Sequence, residues 1–207
     1  MAASVDKSST NPTSHTTPSS PSSTSSGPHP LRHAWTFWYL YRTPGAKPGP
    51  DSYNPTKLAS FDTVEGFAAI FAHLKRPGDE RGVSDVHLFR EGVSPMWEDD
   101  FNKQGGKWIV RLRKGLVQRY WENLLFALVG NQIDFAQQIS GVVVSVRQYE
   151  DILSLWTTNS EAARVNLRIK DGLRKVLDLP PETAIEYKAH QDAIADKHSY
   201  RNADVFR

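Results

Sequence analysis

The stretch Gly141-Val-Val-Val-Ser-Val-Arg147, followed after Gln148-Tyr-Glu by Asp151-Ile-Leu-Ser-Leu-Trp-Thr157, decides the fold. Four valines in seven residues lose rotamer freedom in a helix and fit a pleated surface well. The link from Gln148 to Asp151 is short enough for a hairpin, so the two runs read as neighbouring antiparallel strands.

Working outward, Lys107 to Arg113 alternates strictly. Trp108, Val110 and Leu112 point one way; Lys107, Ile109, Arg111 and Arg113 point the other. Tyr120 to Leu128 is apolar at helical spacing, and Gly130 is its expected stop. After the hairpin, Ser160 is expected to cap a helix that turns Ala162, Val165, Ile169, Leu173, Val176 and Leu177 toward the core. Leu179-Pro180-Pro181 ends it. Ile185 and Tyr187 suggest a last edge strand, and the polar residues beyond about 190 are expected to be loose. Upstream, Trp35 to Leu40 reads as a strand. Residues 43–57 hold four Pro and two Gly and read as a long loop. Asp62 with Glu65 resembles a capping box opening a helix of Val64, Phe67, Ala68, Phe71 and Leu74, ended by Pro77-Gly78. Val86, Leu88 and Phe89 suggest a short strand. Hairpin-linked strands interrupted by helices predict an α+β fold: one curved antiparallel β-sheet with about three helices on one face.

The chain has 207 residues, 25 Lys+Arg against 23 Asp+Glu, no Cys and six Trp. That length suits one domain with a tail. Absence of Cys excludes a disulfide scaffold, a Cys-type zinc finger and a thiol nucleophile. No apolar run approaches the roughly 20 residues of a membrane span, so no membrane association is expected. The N-terminus lacks a basic start and an apolar h-region, so it does not read as a signal peptide, and a cytosolic or nuclear protein is expected. Residues 1–28 are Ser, Thr or Pro at 19 of 28 positions and contain no Phe, Trp or Tyr. Such a segment buries too little apolar surface to offset its ordering entropy and is expected to be disordered. The expected division is a tail at 1–28, a domain at 29–192 and a flexible end at 193–207.

If helices cover one sheet face, the opposite face carries charge. Between Phe101 and Trp121 stand six Lys/Arg and no acid. Alone, such an alternation reads as a solvated strand face. Two aromatics outside any core pattern argue for more: Tyr53 in the Pro/Gly loop and Trp97 after Pro95. Loop aromatics beside cations can stack a base and pair with its phosphates. Glu98, Asp99 and Asp100 oppose general nucleic-acid binding, but one carboxylate could accept hydrogen bonds from a guanine edge. As a metal site or as enzyme acids these three are weak, because adjacent acids do not converge on one ion and no second cluster accompanies them. No Walker loop, GxSxG or HExxH occurs.

Seven runs, in order, resemble the cap-binding translation initiation factor 4E family. They are His29-Pro30-Leu31, Trp35-Thr-Phe-Trp38, Phe61-Asp-Thr-Val-Glu65, Pro95-Met-Trp-Glu-Asp-Asp100, Asn102-Lys-Gln-Gly-Gly-Lys-Trp108, Gly141–Arg147 and Leu179-Pro-Pro181. They span about 29–192, and the branch most resembled is the class II, 4E-homologous one. The resemblance implies a cupped antiparallel sheet with helices on its convex back and the 7-methylguanosine 5′ cap of mRNA on the concave side, with no cofactor, metal or catalysis. It implies that Trp97 and Tyr53 sandwich the methylated base, that Glu98 pairs with guanine N1 and N2, and that the Trp97 backbone N–H reaches O6. Trp156 would lie near the N7-methyl group, and Lys107 and Arg147, with Arg113 in addition, would meet the phosphates. Ile152 stands where the main branch carries another phosphate Lys, which implies weaker triphosphate contact.

The chain departs from the family in two places. Trp35 stands where class II members usually replace Trp. Val64-Glu-Gly-Phe-Ala68 stands where the family reads Val-Glu-x-Phe-Trp. His29, Pro30, Leu31, Val64 and position 68 match the partner surface, which the resemblance implies binds helices carrying a Tyr-x4-Leu-hydrophobic motif. Ala68 removes the anchoring ring from it. The expected protein is a monomeric cytoplasmic regulator of translation initiation, with nuclear or mRNP-granule pools. The alternative is an active initiation factor recruiting a scaffold protein through its convex face.

Overall fold

The computed structural model describes residues 1–2, 27–42, 53–79 and 82–206. Its elements are β1 Pro30–Arg42, β2 Thr56–Thr63, α1 Val64–Phe71, β3 Val83–Arg90, β4 Gly106–Leu112, α2 Val117–Val129, a 3-10 turn Ala136–Gln138, β5 Ile139–Val146, β6 Asp151–Thr157, α3 Ala163–Val176, β7 Ile185–Ala189, α4 His190–Asp196 and β8 Asp204–Phe206. The Ser/Thr/Pro-rich tail, apart from its ends, and loop residues 43–52 lie outside the described residues.

The valine run and its partner occupy the middle of one sheet ordered β2-β1-β3-β5-β6-β4-β7-β8, in which every neighbouring pair is antiparallel. Every residue of β5 and β6 is buried. Pleat alternation sorts their side chains. Val142, Val144, Leu153 and Leu155 join Trp35, Phe37, Leu88, Trp108 and Val110 in the main core, which Trp121, Leu124 and Leu125 of α2 and Ile169 and Leu173 of α3 complete. The other face carries a second cluster of Phe89, Val93, Val143 and Trp156, with Trp38 and Trp97 packed against it. Gly141 permits close strand approach: a Cβ there would lie 2.6 Å from the Leu88 carbonyl oxygen and from Phe89 Cγ.

Several expectations change. The α1 N-cap is Thr63, not Asp62: its hydroxyl accepts from the Gly66 N–H at 3.1 Å. Glu65 instead accepts from the His29 backbone N–H at 2.9 Å and lies 2.6 Å from its Nδ1. That bonding pulls the Glu65 carboxyl down to about 2. α1 ends at Phe71, before Pro77. Ser160 does not cap α3, because its hydroxyl donates to the Gln104 carbonyl at 3.1 Å, and the N-cap Ala162 makes no side-chain bond. Thr56 and Lys57, read as loop, already belong to β2. β7 is not the sheet edge, since β8 pairs outside it. The C-terminal residues read as loose form α4 and β8. Lys188, whose ammonium donates to Asp196 and to the Arg201 carbonyl, ties them down.

Candidate functional site

The second aromatic cluster floors a pocket of about 610 Å³ on the sheet face away from α2 and α3. One wall is the loop between β3 and β4. Asn102, fully buried, donates from Nδ2 to the Ser94 and Met96 carbonyls at 2.8 and 2.9 Å. Asp99 accepts from the Ser94 and Phe101 backbone N–H groups, both at 2.9 Å. These bonds fix the turn that presents Trp97 and Glu98 to the pocket. The Trp97 amide has no acceptor among the described residues, and the Glu98 carboxylate has no donor or cation there. Opposite, Tyr53 donates its hydroxyl to the Pro95 carbonyl at 3.3 Å, which ties it to the loop carrying Trp97. Burial and nearby Asp85 hold the Tyr53 phenol well above its ordinary value, so it remains a donor.

Trp156 of β6 forms the floor, 3% exposed, with Phe89 edge-on at 5.2 Å and the His190 ring at 4.3 Å. Lys107 of β4 has its ammonium 5.6 Å from both the Trp97 and Trp156 rings. Burial, then Lys188 nearby, lowers its amine to about 7. Arg147 follows β5 and donates to Asp85 Oδ1 at 2.7 Å; Arg42 donates to Oδ2 at 3.2 Å. Burial alone would raise the Asp85 carboxyl, but Arg147 and a Ser145 hydrogen bond outweigh it and hold the acid below its ordinary value.

The structure therefore brings Tyr53, Trp97, Glu98, Lys107, Arg147 and Trp156 to one pocket. It does not bring Arg113 there: β4 ends at Leu112, and Arg113 is exposed beyond the strand and lines no wall. Nor is the basic run a solvated single-sign face. Lys107 is buried, Arg111 pairs with Glu186 and Glu150, Lys103 with Asp100, and Lys114 with Asp151. Ile152 is buried. Sequence reasoning missed Arg42, Asp85 and Ser145, and also Lys197, Ser199 and Tyr200 from the C-terminal segment. Polar residues beyond the last periodic element carry no local signal for such a position.

On the helical side, His29, Pro30, Leu31 and Val64 sit together. Pro30 pairs with Thr63, and the Val64 N–H donates to the His29 carbonyl at 2.9 Å. Ala68 is exposed one turn on. Phe126 of α2 is 51% exposed and packs on α1, its ring 5.7 Å from Phe67 and 5.5 Å from Phe71.

An antiparallel sheet with aromatic walls, one carboxylate unpaired among the described residues, a buried Lys107 and a partly buried Arg147 defines a binding protein for a flat ring that carries anionic groups. The comparisons make this specific. The model of the family described as eukaryotic initiation factor 4E matches residues 30–205, and the chain belongs to that family. It is 43% identical over 176 residues to the translation initiation factor NCBP of rice, covering 85% of this chain and 78% of the relative. It is 44% identical to translation initiation factor 4E-4 of Caenorhabditis elegans, covering 84% and 82%. Two solved structures are similar. One is C. elegans eIF4E-3 with the 4E-binding protein Mextli and a cap analog, at TM-score 0.76 and 40% identity, covering 82% of this chain and 96% of that one. The other is Ascaris suum eIF4E-3 with the m7G cap, at TM-score 0.73 and 39% identity, covering 79% and 92%.

Proposed function

We propose that this chain binds the 7-methylguanosine 5′ cap of mRNA and regulates translation initiation, in the manner of the class II branch. The carrying observation is the Tyr53–Pro95 hydrogen bond, which sets Tyr53 beside the loop of Trp97 while the Glu98 carboxylate and the Trp97 amide stay unpaired among the described residues. A methylated purine is cationic and stacks between the two rings. Its N1 and N2 donors meet Glu98, and O6 meets the amide. Lys107 and Arg147 lie on the phosphate side, and Trp156 lies toward the methyl group. The chain acts as a binding protein and not as an enzyme: Asp99 is held by backbone N–H groups, Asp100 by Lys103 and Asp85 by Arg42 and Arg147, which leaves Glu98 as the pocket acid without a cation partner among the described residues. We place it in the cytoplasm as a monomer.

Titration of Trp fluorescence with 7-methyl-GTP and GTP tests this reading. A clear preference for the methylated ligand is expected, and equal binding would refute it. Trp97→Ala is expected to weaken 7-methyl-GTP about 10- to 30-fold, as loss of a desolvated cation–π contact implies. Glu98→Ala is expected to cost about tenfold or more, the scale of hydrogen bonds to a charged group.

Exposed Val64 and Phe126, with half-buried Leu31, favour a second reading, recruitment of a protein helix. The similar structure bound to Mextli is consistent with it. A peptide with a Tyr-x4-Leu-hydrophobic motif is expected to bind weakly, and Ala68→Trp to tighten it by about 2 kcal/mol, the scale of an interface Trp. Tight binding with Ala68 in place would contradict the anchor argument.

A further inference from the structure

The residues after α4 return across the pocket. Lys197 and Asn202 both adopt left-handed backbone, φ 57° and 54°, and bracket a short strap. The strap is held from below and from the side. Lys188 donates to Asp196 and to the Arg201 carbonyl, and Arg111 of β4 donates to the Tyr200 carbonyl at 2.7 Å. The Tyr200 and Ser145 hydroxyls share a hydrogen bond of 2.9 Å, which pins the ring against β5. In that position the Tyr200 ring lies 4.4 Å from the Lys107 ammonium, nearer than Trp97 or Trp156, and Ser199 Oγ accepts from the same ammonium. Lys107 is left 1% exposed. Arg147, which also lines the pocket, is bound to Asp85.

We propose that Tyr200 is a specificity-determining residue of the pocket: with Ser199 it covers the Lys107 ammonium, so that a polyphosphate tail reaches that cation only by displacing the Tyr200 ring. This rests on the cap-binding reading for its ligand. The stacked base and the Glu98 contact lie with Trp97 and Tyr53 and do not need Lys107. The polyphosphate is therefore the part of the ligand that meets the obstruction. A cation already surrounded by three rings and a hydroxyl exchanges one set of partners for another when an anion arrives, so its net contribution to binding is small. The strap thus reduces discrimination between a methylated nucleoside and its triphosphate.

The test uses the full chain with 7-methylguanosine and 7-methyl-GTP as probes, by fluorescence titration. Tyr200→Ala is expected to raise affinity for 7-methyl-GTP about tenfold and to leave 7-methylguanosine within about twofold, the gain corresponding to one charge-assisted hydrogen bond made available. Tyr200→Phe keeps the ring but frees it from Ser145, and a smaller shift in the same direction is expected. Weakening of both probes by Tyr200→Ala, or no change in their ratio, would overturn the proposal. A second readout needs no ligand. Acylation of Lys107 by a water-soluble amine reagent, read by peptide mass spectrometry, is expected to be slow in the wild type and several-fold faster in both variants. Equal labelling would also overturn it. If the wild type fails to prefer 7-methyl-GTP over GTP, the cap reading falls, while the labelling result still decides whether the strap covers Lys107.

Discussion

Asp85 is one carboxylate, 2% exposed, shared by two arginines. It keeps Arg42 and Arg147 in place at the pocket rim, and it lowers the positive field that an approaching phosphate meets. Asp85→Asn keeps the shape and removes the charge. It is expected to destabilise the fold by about 1–3 kcal/mol, because a buried charge-assisted pair is replaced by weaker bonds. Urea unfolding of the variant beside the wild type measures this. Lys107 shows what alternation does and does not convey. Its side of β4 was legible from period two, because the backbone geometry alone fixes that. Its burial was not, because the cover comes from Ser199 and Tyr200, about ninety residues later.

The central hairpin was readable as a whole element. β5 and β6 announce themselves by β-branched content, and the connecting residues leave only a tight link. Helix starts were less readable. Asp62 and Thr63 are adjacent and both carry a side-chain oxygen able to cap, and the extended backbone at Thr63, φ −129° and ψ 158°, selects the second. Thr63→Ala is therefore expected to cost about 1 kcal/mol, whereas Asp62→Ala is expected to change stability by a few tenths. Paired thermal and denaturant unfolding of the two variants distinguishes them. α4 and β8 were illegible because no local periodicity forms them. They are anchored by the side chain of Lys188 and by pairing of β8 onto β7. The basic run was misread for a similar reason, since its neutralising partners Glu150, Asp151 and Glu186 lie on other segments.

At the scale of the whole molecule, two histidines among the described residues are fully buried without hydrogen-bond partners there on their ring nitrogens: His87 on β3 and His190 on α4. Burial lowers His87 from 6.5 to about 4, with Arg42 and Arg147 nearby adding to the shift and Asp85 opposing it. Burial, then Lys107, lowers His190 to about 3. Both values are depressed in the folded state, so the unfolded chain takes up these protons first. The contribution of these two histidines to stability is therefore level above about pH 6.5 and falls as pH drops toward 4, with a slope of about 1.4 kcal/mol per pH unit for each histidine. Urea midpoints at pH 7, 6 and 5 are expected to decline, and His190→Gln to reduce the slope.

The hairpin at the sheet centre has packed matter on both sides. Val142 and Val144 belong to the core under the helices, while Val143 and Ser145 line the pocket. Neighbouring positions on one strand thus answer to different constraints. Substitutions along 142–145 would give defects that alternate with every residue, affinity at odd numbers and folding at even ones. The pleat becomes a phenotype with period two. Natural drift along this strand is confined from both directions, because no position from 142 to 145 faces bulk water.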